Sequence, residues 1–243
     1  ARTEYNRDSR DQYLEKARRA AEKATTLCPL MPESHDVLGR VASLRAMAIH
    51  EALEKGEGEF SQAREQWLTA INHLQQALEL GADHPGALHL MLAQAHIALQ
   101  EFDAAENDLR EALESDPANK DVLPVLYRFG TQYNRPDFLR EALTNHLERL
   151  RHTAPEAHEM FAQTALHLAS TEFRVFKNDE KAEKLYLDAV TRLPDRSQTW
   201  AAFAQFSKQS NRPQAFQRAV VEAWHNARKA GKDPLAQIQA VVM

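Results

Sequence analysis

Between Gly86 and Pro117 small and apolar residues recur at a helical period, break at Gln100-Glu101 and resume at the same period. Leu92, Ala93 and His96 share one face of the first segment, and Ala105, Leu109, Ala112 and Leu113 share one face of the second. The stretch therefore predicts two amphipathic helices folded back on each other. Ala93, Ala105 and Ala112 fall where the two helices would cross, and a methyl group there lets the axes approach the lower end of the usual 8–10 Å, roughly. Pro117 ends the second helix, because it lacks an amide hydrogen and its ring clashes with the carbonyl four residues back.

The pattern extends in both directions. Residues 1–12 are polar and mixed in charge, and a frayed end is expected there. From Tyr13 the spacing Leu14, Ala17, Ala21, Ala24 and Pro29 matches a second helix without its first, so residues 13–31 read as half a unit. The next unit, near 32–85, carries His35, Leu38 and Gly39 in phase. Its apolar positions run on through Leu44, Met47, Ala48 and Leu53, break at Gly56–Glu59 and return as Trp67, Ala70, Leu74 and Ala77, which predicts an elongated helix of about 20 residues. Gly81 suits a helix C-cap. Units near 86–119, 120–153, 154–196 and 197–230 follow, the 154–196 unit with an insertion of its own between Phe173 and Ala182. Asn134-Arg135-Pro136 and Asn211-Arg212-Pro213 occupy the same place in two of these units, and Asp233 to Met243 predicts a short capping helix opened by an Asp N-cap and a Pro.

These residues resemble the tetratricopeptide (TPR) repeat, a helix-turn-helix unit of about 34 residues. Counting Gly86 as position 1, the TPR pattern at positions 4, 7, 8, 11, 17, 20, 24, 27 and 32 falls on His89, Leu92, Ala93, His96, Phe102, Ala105, Leu109, Ala112 and Pro117. Only positions 4 and 11, both His, depart from it. The resemblance implies an all-α fold, a right-handed superhelical solenoid of antiparallel helix pairs, two of them elongated. A solenoid adds repeats without splitting its core, so residues 13–243 are expected to form one array.

Composition agrees with a folded helical chain: of 243 residues 43% are hydrophobic and 27% charged, with 7 Gly and 10 Pro. No apolar run approaches the roughly 18–20 residues a membrane helix needs. A single cysteine, Cys28, excludes an internal disulfide and leaves the compartment open. The chain starts ARTEYNRD, without an initiator Met or an apolar signal, and is expected to be a processed chain or a piece of a longer one, so that a targeting segment could be missing.

Nothing in the sequence forms a catalytic set. The eleven histidines include no two that stand three or four apart, the helical spacing that would present two ligands to one metal. His158-Glu159 opens like HExxH, but the fifth residue is Ala162. Cys28 lies next to Pro29 at a helix end and is expected to be structural filler rather than a nucleophile. Phosphate-binding and serine-elbow motifs are absent. His89 and His96 are therefore expected to be satisfied core or groove histidines, and the acids Asp103, Glu106, Asp108, Glu111 and Glu114 a solvated outer face. No catalysis, cofactor or metal is expected.

What the TPR resemblance implies instead is a groove lined by the first helix of each pair, at positions 2, 5, 9, 12 and 13. Position 9 gives Arg40, Gln94, Arg128, Ala162 and Gln205, and neighbouring positions add Asp36, Leu90, Thr131, Gln132, His158 and Lys208. The residues used by chaperone-binding TPR domains to hold a peptide carboxylate are not at their places. The expected function is a non-enzymatic scaffold that binds a peptide or protein. The alternative is a regulatory or targeting region of a larger membrane or envelope enzyme or assembly machine, such as a glycosyltransferase, an O-antigen ligase-like protein or a secretion factor. From Arg196 to Lys232 there are seven Lys or Arg, including Arg212, Arg218, Arg228 and Lys229, against one acid, Glu222, in a chain of net charge −5. This basic end is expected to face an acidic protein or a neighbouring protomer ahead of nucleic acid or membrane.

Overall fold

The computed structural model describes residues 2–57, 59–151 and 157–229, with side chains from Ser9 to His225. All of its regular structure is helical: α1 (Arg2–Leu27), α2 (Pro32–Leu53), α3 (Phe60–Glu79), α4 (Pro85–Ala98), α5 (Phe102–Ser115), α6 (Val122–Gln132), α7 (Pro136–Arg151), α8 (His158–Arg174), α9 (Asp179–Arg192), α10 (Ser197–Gln209) and α11 (Pro213–Lys229). The chain is thus all-α and built of TPR-like helix pairs. α1 begins upstream of Tyr13, so the polar stretch expected to fray is helical from Arg2. The capping helix expected at 233–243 lies outside the described residues.

The helices group into two compact units, Ala1–Val122 and Leu123–Met243. In unit 1, α1 packs on α2, α2 on α3, α3 on α4 and α4 on α5. The crossings close over small residues: Ala70 and Ala77 in α3, and Ala93, Ala105 and Ala112 in α4 and α5, are fully buried. Trp67 and Leu74 of α3 fill the space between Ala42 and Ala46 of α2 and Leu88 and Leu92 of α4. Gly39 is part of the same device. A Cβ built there would lie 2.6 Å from Leu74 Cγ, so the bare backbone admits the leucine.

Unit 2 keeps buried alanines at Ala182 and Ala189 but fills its core mainly with rings. Tyr186 stacks on Phe206 at 4.9 Å between centroids and on Phe203 at 5.9 Å, and Phe173 meets Phe206 edge-on at 5.1 Å. Phe216 of α11 contacts Phe203 at 5.5 Å and Trp200 at 6.2 Å, both edge-on, and the Trp200 indole donates to the Pro194 carbonyl at 2.9 Å. A buried charge cluster joins α7, α8 and α9. The Glu172 side chain has no solvent exposure; it accepts from Arg140 at 2.8 and 3.1 Å, and Lys181 Nζ lies 2.7 Å away. The Arg140 guanidinium also sits 4.1 Å above the Phe176 ring, so its apolar plane is covered while its donors are engaged.

The turn within each pair has a common closure. Gln100, Asn134 and Asn211, all at position 15, have φ of 62°, 53° and 56°, and Gly56 and Lys177 are left-handed in the other two turns. After four of them the next amide reaches five residues back, from Glu57 to Ala52, Glu101 to His96, Arg135 to Gly130 and Arg212 to Ser207, at 2.8–3.0 Å. That bond is the mark of a Schellman C-cap, which satisfies a helix-end carbonyl and reverses the chain. Gly81 closes α3 in the same way, with φ 83° and Ala82 bonded to the Ala77 carbonyl.

Candidate functional site

The first helices of the pairs carry the expected groove positions, and the structure sorts them. In unit 1, Arg40 is half-buried and bound to Asp36 one turn earlier at 2.5 Å, so its charge is already matched. Leu90 is buried, at 7% exposure, and works as core. Gln94 is half-buried and has no side-chain partner among the described residues. In unit 2, Arg128, Gln132, Gln205 and Lys208 are exposed and likewise without a side-chain partner among the described residues. Thr131 is exposed, with its hydroxyl turned back to the Tyr127 carbonyl at 2.8 Å. His158 is half-buried at the start of α8, and Ala162 is buried.

Within unit 2 these helices touch one another. Tyr127 of α6 packs on His167 of α8 with centroids 4.4 Å apart and lies 3.4 Å from the Ser170 hydroxyl, and α8 meets α10 through Phe173 and Phe206. α6, α8 and α10 therefore form one layer, and Arg128, Gln132, Gln205 and Lys208 are among its uncommitted polar groups. Burial pushes the His167 imidazole below its ordinary pKa, so at neutral pH the layer has a neutral ring beside Tyr127.

Two expectations change. Asp108 is not on a solvated face. Its carboxylate is 15% exposed and lies between two histidines, with His89 Nδ1 at 3.0 Å and His96 Nε2 at 3.5 Å, while Glu101 takes His96 Nδ1 at 2.7 Å. Asp108 adjoins the buried Leu109 in sequence and so borders the packed side of α5, whereas Asp103, Glu111 and Glu114 are exposed as expected. The basic end is also less positive than a count along the sequence suggests. Arg212 lies 4.0 Å from Asp179 and 3.6 Å from Glu183 on α9, and Arg196 pairs with Glu159 at 2.5 Å. Arg218 is exposed; the side chains of Arg228 and Lys229 lie outside the described ones.

A second concavity was not foreseen. Where α2 and α3 are elongated, Arg10 and Asp11 of α1, Arg45, Ala48, Ile49 and Ala52 of α2, and Gln62, Glu65 and Gln66 of α3 line an open cleft of about 610 Å³. Three of these residues, Ala48, Ile49 and Ala52, are apolar and the other six are polar or charged. Arg45 is tied to Glu15 at 2.7 Å, and Arg18, Arg19 and Arg45 together hold the Glu15 carboxyl well below the usual carboxylate range. The long spacing between Leu44 and Trp67 was the available signal, but it does not say how α1 closes one side. Among the described residues no three His, Cys, Asp or Glu are placed to hold a metal ion, and no helix is long and apolar enough to cross a membrane.

The family model of the coatomer epsilon subunit matches residues 61–179, somewhat under half of the chain. No curated protein matches the sequence. Similar solved structures include PilF of Pseudomonas aeruginosa, 17% identical over 79% of this chain and 77% of that one, with a TM-score of 0.44. YrrB, described as a TPR protein with an unusual peptide-binding site, is 11% identical over 92% and 98% of the two chains, with a TM-score of 0.46. MamA is 14% identical over 77% and 94%, with a TM-score of 0.41.

Proposed function

We propose that this chain is a non-enzymatic scaffold that binds a peptide or protein on the face of its first helices. The supporting observation is the state of the polar groups in the α6–α8–α10 layer. Glu172, Asp108, Arg196 and Arg212 are matched by neighbours, yet Arg128, Gln132, Gln205 and Lys208 present long donors and acceptors with no described partner. Such groups on adjacent rigid helices suit the gripping of a peptide backbone or a polar surface. Gln94 would serve unit 1 in the same way. The exposed Arg218 belongs to this reading as a secondary contact for an acidic partner.

Panning a displayed random-peptide library against the chain, followed by anisotropy titration of the recovered peptides, tests this. Arg128→Ala with Gln132→Ala and Gln205→Ala should weaken binding at least about tenfold, or 1.4 kcal/mol, with helix content and Tm unchanged. Equal binding by the triple variant would place the site elsewhere. A second reading, a region of a larger assembly, is favoured by the match of residues 61–179 to a family named for a subunit of a coat. It expects co-purification in a defined stoichiometric complex rather than capture of short peptides.

A further inference from the structure

The insertion in the 154–196 unit builds polar surface that the repeat pattern does not assign. α4, α6 and α10 end at position 13 of their units, whereas α8 ends at position 21, about two turns further on. Those added turns carry Ser170 and Arg174, which with His167 stand at i, i+3 and i+7 on one face of α8. Tyr127 of α6 borders this face, packed on His167 and 3.4 Å from the Ser170 hydroxyl. Tyr186 of α9 joins it. Its ring is buried against Phe203 and Phe206, yet its hydroxyl has no partner among the described residues. Burial pushes that phenol above its ordinary pKa, with the Arg174 charge opposing the rise and Tyr127 adding to it, so the three polar ends lie within electrostatic reach of one another.

Charge sets what this notch can hold. Arg174 is exposed and has no carboxylate partner among the described residues. α6 and α10 contain no acid, and the two in α8 are engaged, Glu159 with Arg196 and the buried Glu172 with Arg140 and Lys181. The acids of these repeats are on the second helices instead, three in α7 and four in α9. A guanidinium fork beside hydroxyl donors offers one positive charge and a planar set of N–H groups, which match a carboxylate; a phosphate carries up to about twice that charge. α6, α8 and α9 are internal to the run of repeats, so further repeats at either end would leave the notch as it is.

We propose that Arg174, Ser170, Tyr127 and Tyr186 form a carboxylate-binding notch that directs the α6–α8–α10 layer to an acidic segment of a partner protein. One Asp or Glu side chain of the segment enters the notch, and the unpaired Arg128 and Lys208 are available to further acids. This rests on the reading that the layer binds a peptide, and adds which peptide.

The test pans the same displayed random-peptide library on the full chain and, in parallel, on its Arg174→Gln variant, each first shown to have native helix content. Peptides from the full chain should be enriched in Asp and Glu, and those from the variant should not. In the tightest binder, changing one particular acid to its amide should cost at least about tenfold on the full chain and less than about twofold on Arg174→Gln. Tyr186→Phe, which keeps the stacked ring, should weaken the acidic peptide by about threefold or more. Equal loss on the two chains would overturn the notch. Recovery of peptides without acid enrichment, weakened by the Arg128/Gln132/Gln205 variant, would overturn it while leaving the peptide-binding reading in place, and recovery of none would overturn both. A phosphoserine at the coupled position that binds more than about tenfold tighter than the acid, and loses that gain on Arg174→Gln, would reassign the notch to phosphate and overturn it too.

Discussion

In unit 1 the helix crossings close over alanine methyls, whereas in unit 2 much of the equivalent space is taken by stacked and edge-on rings and by one buried carboxylate with two cations. The same repeat template is thus filled by two kinds of matter. Alanine crossings depend on short interaxial distance and fail by overpacking; ring and ion clusters depend on specific partners and fail by orphaning.

The largest effect should come from orphaning. Arg140→Met with Lys181→Met would strand the Glu172 carboxylate in a solvent-free site, and we expect urea denaturation to show a loss of about 3–5 kcal/mol. Glu172→Gln should cost less, about 1–3 kcal/mol, because Arg140 and Lys181 are each more than a third exposed and can turn toward water. If the glutamine variant is the worse of the two, the cluster is not held by the buried charge.

Next is His146, at position 27 of its unit, where α3, α5 and α9 have alanine. Among the described residues the buried ring has no partner on either nitrogen, and burial, helped by Arg149, pushes it down to about 4. Above the ordinary imidazole value near 6.5 the ring is neutral in both states and contributes no pH dependence. As pH falls through the window from about 6.5 to 4, the unfolded chain gains a proton that the folded chain refuses, and stability drops by up to about 3 kcal/mol. His146→Leu should remove that part of the slope, and urea midpoints measured at pH 7 and pH 4.5 check it.

Ala105→Leu and Ala112→Leu in unit 1 should each lose about 1–3 kcal/mol, since a tight crossing cannot absorb three more carbons. An unchanged Tm in both would break the contrast between the units. The smallest effect concerns the turns. Gln100→Gly should gain about 0.5–1 kcal/mol by relieving a left-handed non-glycine residue, and Asn134→Gly should gain less because asparagine tolerates that conformation.

What could be read in advance follows the same division. Period and proline positions locate the helix pairs, because a helix that buries one face must repeat its small residues at fixed spacing. The paired Asn-Arg-Pro turns could be aligned from sequence, but at Gln100 and Lys177 the left-handed residue is itself neither glycine nor asparagine, so nothing in its identity reveals it. Glu172 could not be foreseen as buried, since its two cations come from α7 and α9, 32 residues before and 9 after. Asp108 looked like one more acid in an acidic run, and only the placement of His89 and His96 on α4 shows why it is turned inward. The expected groove residues separated by neighbourhood: Leu90 and Ala162 are taken by packing and Arg40 by Asp36, while Arg128, Gln132, Gln205 and Lys208 are unengaged. The cleft beside α2 depends on how three helices assemble, which a single helical period does not encode.

The placement of two tryptophans gives the molecule its own optical reporters. Trp67 is buried in the alanine and leucine core of unit 1, its indole nitrogen without a partner among the described residues, and Trp200 is buried among the rings of unit 2 with its nitrogen bonded to Pro194. Replacing Trp224 together with either of them by Phe leaves a single emitter in the chain, Trp67 in an aliphatic setting in one variant and Trp200, hydrogen-bonded among aromatics, in the other. Two such variants, melted side by side, would report whether the units lose their structure as one cooperative block or in succession.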